Sequence, residues 1–174
     1  APMAGYYYNR AAEGAHDPLL ATAMVIDREG ERFAIVTCDL LSMPTEIARA
    51  ARERIARDPG IPATHVVVGA THTHTGPALV AGQIRYNLQG DMLRIGKEYS
   101  EGLAALLHQA VASAAASLQP ARLYTARGRE DSLPFNRRFW MKDGTVGWNP
   151  GKRNPNIVRS AGPIDGDVPV LYAE

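Results

Sequence analysis

Hydrophobic runs in the first part of the chain predict three strands. Residues 19–27 and 32–40 are rich in apolar and β-branched side chains and flank a short polar turn that contains Gly30. This arrangement predicts a β-hairpin. Residues 64–70 form a third run that is apolar at successive positions, which is typical of a strand covered on both faces.

A helix is predicted between the second and third strands. In residues 44–57, Ile47, Ala51 and Ile55 recur at a spacing of four, and Pro44 is tolerated in a first helical turn. The sequence "DPG" that follows ends the helix. Residues 32–70 therefore predict a right-handed βαβ unit with two parallel strands.

The remainder of the chain predicts one long helix and further strands. Residues 98–118 carry a helical stripe of apolar side chains, after a loop that we expect over residues 78–97. Strands are predicted at residues 121–128 and 168–172, and the second runs into the chain terminus, which suggests truncation. Between them, "FWMKDGTVGW" is typical of a hairpin and residues 149–163 are typical of a loop.

These elements predict a single α/β domain. It would contain a mixed sheet with at least one βαβ unit, packed in layers with two main helices at about residues 44–57 and 98–118. We expect it to be truncated at its carboxyl end. A chain of 174 residues with 45% hydrophobic content is large enough to bury such a core.

Composition excludes several classes of function. The 19 Lys and Arg residues nearly balance 18 Asp and Glu residues, and no basic stripe interleaves with aromatics, so we expect no nucleic-acid partner. The apolar runs are shorter than the roughly 18 to 20 residues that span a bilayer. Cys38 is the single cysteine, so a bound metal would need His, carboxylate or Tyr ligands. Oligomeric state is left open by these counts.

Two histidines directly follow the third strand. In "VVVGATHTHTGPALV", His72 and His74 lie two residues apart, and their side chains project to the same side if the backbone stays extended. The carboxyl edge of parallel strands is where open α/β sheets bind ligands. The pair therefore either converges on one metal or substrate, or consists of ordinary exposed histidines. Zinc needs three or four protein ligands, a set that these two do not complete.

Other polar residues are weaker candidates for the same edge. His16 lies next to Asp17, which either orients it or joins it at a metal, or belongs with it to a plain turn. Asp39 follows the second strand and either faces the edge or caps the following loop and helix. We expect His65 to be an exposed edge residue and His108 to be a structural position on its helix.

Arg137 belongs to the other dense polar segment, "FNRR" at residues 135–138. A guanidinium near a metal centre donates paired N–H groups to a carbonyl or carboxylate oxygen, which Lys cannot copy. On composition alone, the alternative is a solvated surface arginine.

The segment "GATHTHTGPA" resembles the zinc-binding motif of the neutral/alkaline non-lysosomal ceramidases, which is Thr-His-Thr-His-Ser-Gly-Pro-Gly or a close variant at the end of a strand. Three further segments resemble that family in the same order along the chain: "MAGYYYNRAAEG", "VTCDL" and "FNRR". The resemblance extends over most of the chain. The histidine motif is its specific part.

This resemblance implies the amino-terminal part of the catalytic domain of a zinc-dependent amide hydrolase. It implies Zn²⁺ as the cofactor, His72 as a zinc ligand, and His74 and Arg137 as active-site residues near the scissile amide and its oxygen. The implied substrate is a small-molecule or lipid amide, such as the N-acylsphingosine that ceramidases cleave to sphingosine and fatty acid. A second His, a Glu, a Tyr and the nucleophilic Ser would lie beyond Glu174, so this fragment alone would be inactive.

Two departures from the family pattern leave alternatives open. Thr75 stands where Ser is usual, and the sequence around Arg137 departs from Asn-Arg-Ser-Pro and is more similar to uncharacterised bacterial relatives. The alternatives are a hydrolase with a non-ceramide substrate, a catalytically silent binding or structural module, or a metal site that His16 or Asp39 completes within this chain.

Overall fold

The chain divides into two compact units, Ala1–Gln119 and Pro120–Glu174, in a computed structural model that describes residues 1–81 and 87–174. The first unit contains β1 (Ala21–Arg28), β2 (Glu31–Cys38), α1 (Thr45–Arg57), a 3₁₀ turn (Ala63–His65), β3 (Val66–Ala70) and α2 (Gly90–Ala116). The second unit contains β4 (Leu123–Arg129), β5 (Arg138–Met141), β6 (Val146–Trp148), β7 (Ile157–Ser160) and β8 (Asp167–Ala173). The predicted α/β class, with a mixed sheet and two main helices, is confirmed.

The first unit is built on a mixed sheet in the order β1-β2-β3. β1 pairs antiparallel with β2, which confirms the predicted hairpin. β2 pairs in parallel with β3 across the intervening helix α1, which confirms the predicted βαβ connection. At one end of the central strand, Cys38 lies opposite both Ala21 of β1 and Ala70 of β3. The carboxyl ends of β2 and β3 therefore meet at one edge.

The core of this unit lies between one face of the sheet and the two helices. Alternation along β2 buries every second side chain, and the predicted spacing of four along α1 buries the apolar positions of that helix. The buried cluster consists of Ala34, Val36, Cys38, Leu40, Ile47, Ala51, Ile55, Ile61, Val66, Leu103, Ala104, Leu107 and Val111.

The opposite face of the same sheet is apolar and accessible within the described residues. Val67 is 58% exposed, and Phe33 and Ile35 of β2 are also exposed. The expectation that β3 is covered on both faces is therefore wrong for this unit. The continuous apolar run suggested burial on both faces. In the structure Val66 is buried, whereas the next residue, Val67, is exposed on the opposite face.

Helix α2 begins at Gly90, eight residues before the predicted start, and ends at Ala116. The predicted loop over residues 78–97 is therefore wrong for its last part, and residues 82–86 lie outside the described residues. Gly96 suggested a loop, but it lies within the helix, where the absence of a side chain allows close packing. A Cβ there would be 3.0 Å from Val80 Cγ2. Ser100 supports this contact, since its hydroxyl accepts from the Val80 amide at 2.7 Å and donates to the Gly96 carbonyl at 2.7 Å. No helix in the described part of the chain has the length and hydropathy to cross a membrane.

The second unit contains two separate small sheets. β4 and β8 form an antiparallel pair, and β5 lies between β6 and β7 in a three-stranded antiparallel sheet. The hairpin predicted around Asp143 and Gly144 is confirmed as β5 and β6. The predicted loop at residues 149–163 is wrong where it contains β7. Gly, Pro and Asn are frequent in that segment, and a strand of only four residues is too short to stand out from this composition.

Leu107→Ala tests the packing of α2 on the sheet. Leu107 is 0% exposed, whereas its neighbour Leu106 is 50% exposed. Removing a buried leucine leaves a cavity, so we expect Leu107→Ala to lower the free energy of unfolding by about 2–5 kcal/mol. The control Leu106→Ala should change it by about 0.5 kcal/mol or less. Urea denaturation followed by circular dichroism measures both, and equal losses would contradict the packing described here.

Candidate active site

The histidine segment, residues 71–78, follows β3 at the edge where the carboxyl ends of β2 and β3 meet. The Thr71 amide donates to the Cys38 carbonyl at 2.9 Å, and the Thr73 amide donates to the Leu40 carbonyl at 3.1 Å. These bonds extend the parallel pairing beyond the regular strands. The histidines therefore lie just past the strand end, as the sequence predicted.

The amino-terminal segment, residues 2–5, holds the histidine segment from its other side. The Ala4 amide donates to the Gly76 carbonyl at 2.8 Å, and the Ala4 carbonyl accepts from the Thr75 amide at 3.1 Å. The Ala78 amide donates to the Pro2 carbonyl at 2.8 Å. The histidine segment is thus fixed between two stretches of backbone that are distant from each other in sequence.

His72 does not adopt the extended conformation that we expected. Its φ is +62°, in the left-handed region, which is sparsely populated by residues other than glycine. Its Nδ1 lies 2.9 Å from the Leu41 carbonyl oxygen. Because a carbonyl oxygen only accepts, Nδ1 carries a hydrogen, and in the neutral ring Nε2 is then the nitrogen with the lone pair through which a histidine can bind a metal.

His74 lies beside His72 in spite of this departure. The centres of the two rings are 5.2 Å apart and their planes meet at 81°. Both side chains are exposed. Thr75, which follows His74, also has a positive φ of +71°. Two such conformations within four residues cost free energy that the backbone bonds to the flanking segments must offset.

Asp39 faces the same edge, as one of the two interpretations of the sequence predicted. Its Oδ2 accepts from the Leu20 amide at 3.0 Å, and its Oδ1 accepts from the Thr71 hydroxyl at 3.3 Å. That hydroxyl also lies 2.7 Å from the Thr73 hydroxyl. The helix-capping interpretation is wrong, since Pro44 occupies the N-cap of α1 and no side chain caps it.

The remaining histidines have structural partners. His65 is half-buried and stacks on Phe33 at 4.4 Å between ring centres, so the expectation of an exposed edge residue is wrong. His108 Nε2 lies 3.3 Å from an Asp58 carboxylate oxygen at the end of α1. His16 Nδ1 lies 3.0 Å from Asp17, with the His16 side chain 97% exposed.

The donor atoms of this site fit zinc in kind but not in number. Within residues 1–81 and 87–174, no three His, Cys, Asp or Glu side chains come together as a metal-binding group. The possibility that His16 or Asp39 completes a site with the histidine pair therefore finds no support in the described residues. His72 offers one imidazole nitrogen of the correct tautomer, and a zinc site needs two or three more ligands.

Arg137 lies in the second unit, in the segment that leads into β5. Its side chain is exposed, and its guanidinium carbon lies 6.0 Å from the centre of the Trp148 ring. The backbone around it is fixed: the Arg137 carbonyl accepts from the Asn149 amide at 2.9 Å, and the Asn136 side chain accepts from the Arg138 amide at 2.9 Å. Among the described residues the Arg137 guanidinium makes no hydrogen bond, so its donors are available on a turn whose backbone is fixed within its unit.

Several of these positions were not found by reasoning from the sequence. The Leu41 carbonyl and the Thr71 and Thr73 hydroxyls belong to the site through contacts that no local pattern reveals. Gly5 contacts His74 across the amino-terminal segment, and the sequence marked it only as part of a family segment. The left-handed φ of His72 was not expected from the sequence, because an extended backbone was predicted there.

The first unit is an α/β unit with a histidine pair at the carboxyl edge of its parallel strands, and the comparisons with known proteins identify the family of the chain. Residues 1–140 match the family model described as neutral/alkaline non-lysosomal ceramidase, N-terminal. The chain therefore belongs to the neutral/alkaline non-lysosomal ceramidase family. The resemblance to this family that the sequence predicted is thereby confirmed.

Individual relatives agree with this assignment. The chain is 28% identical to the neutral ceramidase of Pseudomonas aeruginosa over 97% of its own length and 24% of that protein. The crystal structure of neutral ceramidase from Pseudomonas aeruginosa is similar over 81% of this chain and 22% of its own, with 25% identity and a TM-score of 0.60. A ceramidase complexed with C2 is similar in fold over 78% of this chain and 22% of its own, with 24% identity and a TM-score of 0.61. The chain thus spans about a quarter of the length of these relatives.

Cys38 gives a test of the packing directly beneath this edge. Burial, and then the charge of Asp39, raises the pKa of its thiol from 9.0 to about 11. The thiolate fraction at pH 8 should therefore be about 100-fold lower in the folded chain than in the unfolded chain. We expect iodoacetamide to label native Cys38 at least that much more slowly than the urea-unfolded protein, by mass spectrometry. Because the folded thiol keeps its proton to higher pH, its contribution to stability should decline as the pH rises above 9. Labelling at equal rates would contradict this burial.

Proposed function

We propose that this chain supplies one part of the active site of a zinc-dependent amide hydrolase, within a protein of its relatives' length. The chain would form the amino-terminal part of the catalytic domain, and the remaining zinc ligands and the nucleophile would come from sequence outside these 174 residues. The reaction would be hydrolysis of an N-acyl amide, as in the cleavage of N-acylsphingosine to sphingosine and fatty acid.

The conformation of His72 is the observation that supports the proposal most directly. Its Nδ1 is committed to the Leu41 carbonyl at 2.9 Å, so Nε2 is the nitrogen left to bind zinc. A bound zinc ion would supply a Lewis acid and a water molecule of lowered pKa.

His74 and Arg137 would act on the amide itself. His74 would hydrogen-bond the reacting group or pass a proton to the nitrogen that leaves as the C–N bond breaks. Arg137 would donate its paired N–H groups to the carbonyl oxygen as that oxygen gains charge. The role of His74 is favoured by its exposure and by its ring position 5.2 Å from His72. Arg137 is favoured by its exposed guanidinium and ordered turn.

The substrate class rests on the relatives. One similar structure is a ceramidase in complex with C2, and the curated relative is a neutral ceramidase. We therefore propose a lipid amide as the substrate. Thr75 and the sequence that follows Arg137 are the positions where a preference for a different acyl amide would arise, since they depart from the family pattern.

His72→Ala tests the zinc assignment in the full-length protein. Loss of a direct ligand should reduce zinc affinity by more than the roughly 10–100-fold that removal of a hydrogen-bonding partner behind a ligand costs. We expect zinc content to fall close to zero by inductively coupled plasma mass spectrometry, and amide hydrolysis to fall with it.

His65→Ala is the matched control for this experiment. His65 stacks on Phe33 and is not a proposed ligand, so its removal should leave the zinc content unchanged. Undiminished zinc in His72→Ala would refute the ligand assignment. A wild-type protein that folds but binds no zinc would instead favour the catalytically silent module.

Arg137→Lys tests the proposed contact with the amide oxygen. Lysine keeps the charge but not the paired donors, so we expect kcat to fall by about 100-fold, while zinc content stays at the wild-type value. Arg159→Lys is the control, since Arg159 also lies over a tryptophan, 5.6 Å from the Trp140 ring centre. An equal effect of both substitutions would indicate a loss of packing in the second unit.

A further inference from the structure

Gly5 is in close contact with the base of the His74 side chain. A Cβ atom built on Gly5 would lie 2.4 Å from Nδ1, 2.6 Å from Cγ and 2.9 Å from Cβ of His74. All three distances are shorter than any ordinary contact between such atoms. The clash involves the Cβ atom of His74 as well as its ring, so a small rotation of the ring would not relieve it.

The position of Gly5 is fixed by its own backbone and by the residues on either side of the contact. Gly5 has a φ of +94°, which glycine adopts readily and other residues rarely do. The preceding Ala4 exchanges two hydrogen bonds with the backbone at Thr75 and Gly76, directly after His74. Gly5 therefore cannot withdraw from His74 unless these bonds break.

The two histidines are thus held by different parts of the chain. His72 is held through its Nδ1 by the Leu41 carbonyl, in the segment that follows β2. His74 packs on Gly5 of the amino-terminal segment. A change at Gly5 should therefore disturb His74 and leave the metal-facing nitrogen of His72 in place.

We propose that Gly5 is a positioning residue for His74. Its lack of a side chain lets the amino-terminal segment lie against the imidazole and fix the direction in which the ring faces the substrate. The catalytic part of this inference rests on the function proposed above. The contact itself does not, and the two are tested by separate measurements.

Gly5→Ala in the full-length protein is the test, together with His74→Ala and the double variant Gly5→Ala/His74→Ala. Hydrogen exchange of peptides covering residues 71–78 reports on the Thr75 and Ala78 amides, which donate to the amino-terminal segment. We expect exchange there to be on the order of tenfold faster in Gly5→Ala, because overpacking a filled space favours local opening. The effect should largely disappear in the double variant, since removal of the imidazole makes room for the new methyl group.

Gly30→Ala is the matched control, because Gly30 has a similar φ of +88°, while a Cβ there would meet no atom within 4 Å among the described residues other than its chain neighbours. It carries the same conformational cost and should leave exchange at residues 71–78 unchanged.

Gly5→Ala should also lower kcat to about the level of His74→Ala, with KM and zinc content near wild type. The double variant should be no slower than His74→Ala alone.

Two results would overturn the proposal. One is wild-type exchange and wild-type kcat in Gly5→Ala. The other is an equal increase of exchange at residues 71–78 in Gly5→Ala and in the double variant Gly5→Ala/His74→Ala. Failure of both of these variants to fold counts as the same result. If only Gly5→Ala fails to fold and the double variant recovers, the contact with the ring is supported. An inactive wild-type protein would refute the proposed hydrolase, while the exchange measurements would still decide the contact.

Discussion

The parallel pairing of β2 with β3 is the constraint on which the candidate site depends. It brings the carboxyl ends of two strands to one edge, and it continues past them through the contacts of Thr71 with Cys38 and Thr73 with Leu40. Because this pairing crosses helix α1, it is supported by the burial of Ile47, Ala51 and Ile55 against the sheet. The position of the histidines is therefore a consequence of core packing as well as of their own local sequence.

The edge itself is made rigid by bonds from three directions. Asp39 connects the beginning of β1 to Thr71, the segment after β2 holds His72, and the amino-terminal segment holds Thr75 and Gly76. Such support is needed because His72 and Thr75 have positive φ angles, which cost free energy that the surrounding structure must offset. Two neighbouring side chains thereby acquire separate supports, which allows each to be oriented independently.

The sequence predicts those features that depend on local periodicity. The hairpin, α1 and the parallel third strand follow from spacing, and the placement of the histidines past a strand end follows from these. The start of α2 was missed because Gly96 serves close packing rather than a loop, and β7 was missed because four residues carry little signal. The left-handed His72 and the contact of Gly5 with His74 depend on residues far apart in sequence, so periodicity contains no information about them.

The backbone bonds that surround the histidine segment have a consequence for how such sites can diversify. At Thr71, Thr73, Thr75, Gly76 and Ala78, the bonds to the flanking segments are made by amide and carbonyl groups, which every residue other than proline possesses. A change of side chain at Thr73 or Thr75 therefore removes none of these backbone bonds, whereas Thr71 also donates its hydroxyl to Asp39 and a Cβ at Gly76 would lie 3.2 Å from the Asp39 carbonyl oxygen. The backbone of Thr75 is strained, since a β-branched residue is unfavourable at a φ of +71° and Ser would be less so. The cost of that conformation must be offset by the backbone hydrogen bonds that Thr75 and Gly76 make with Ala4.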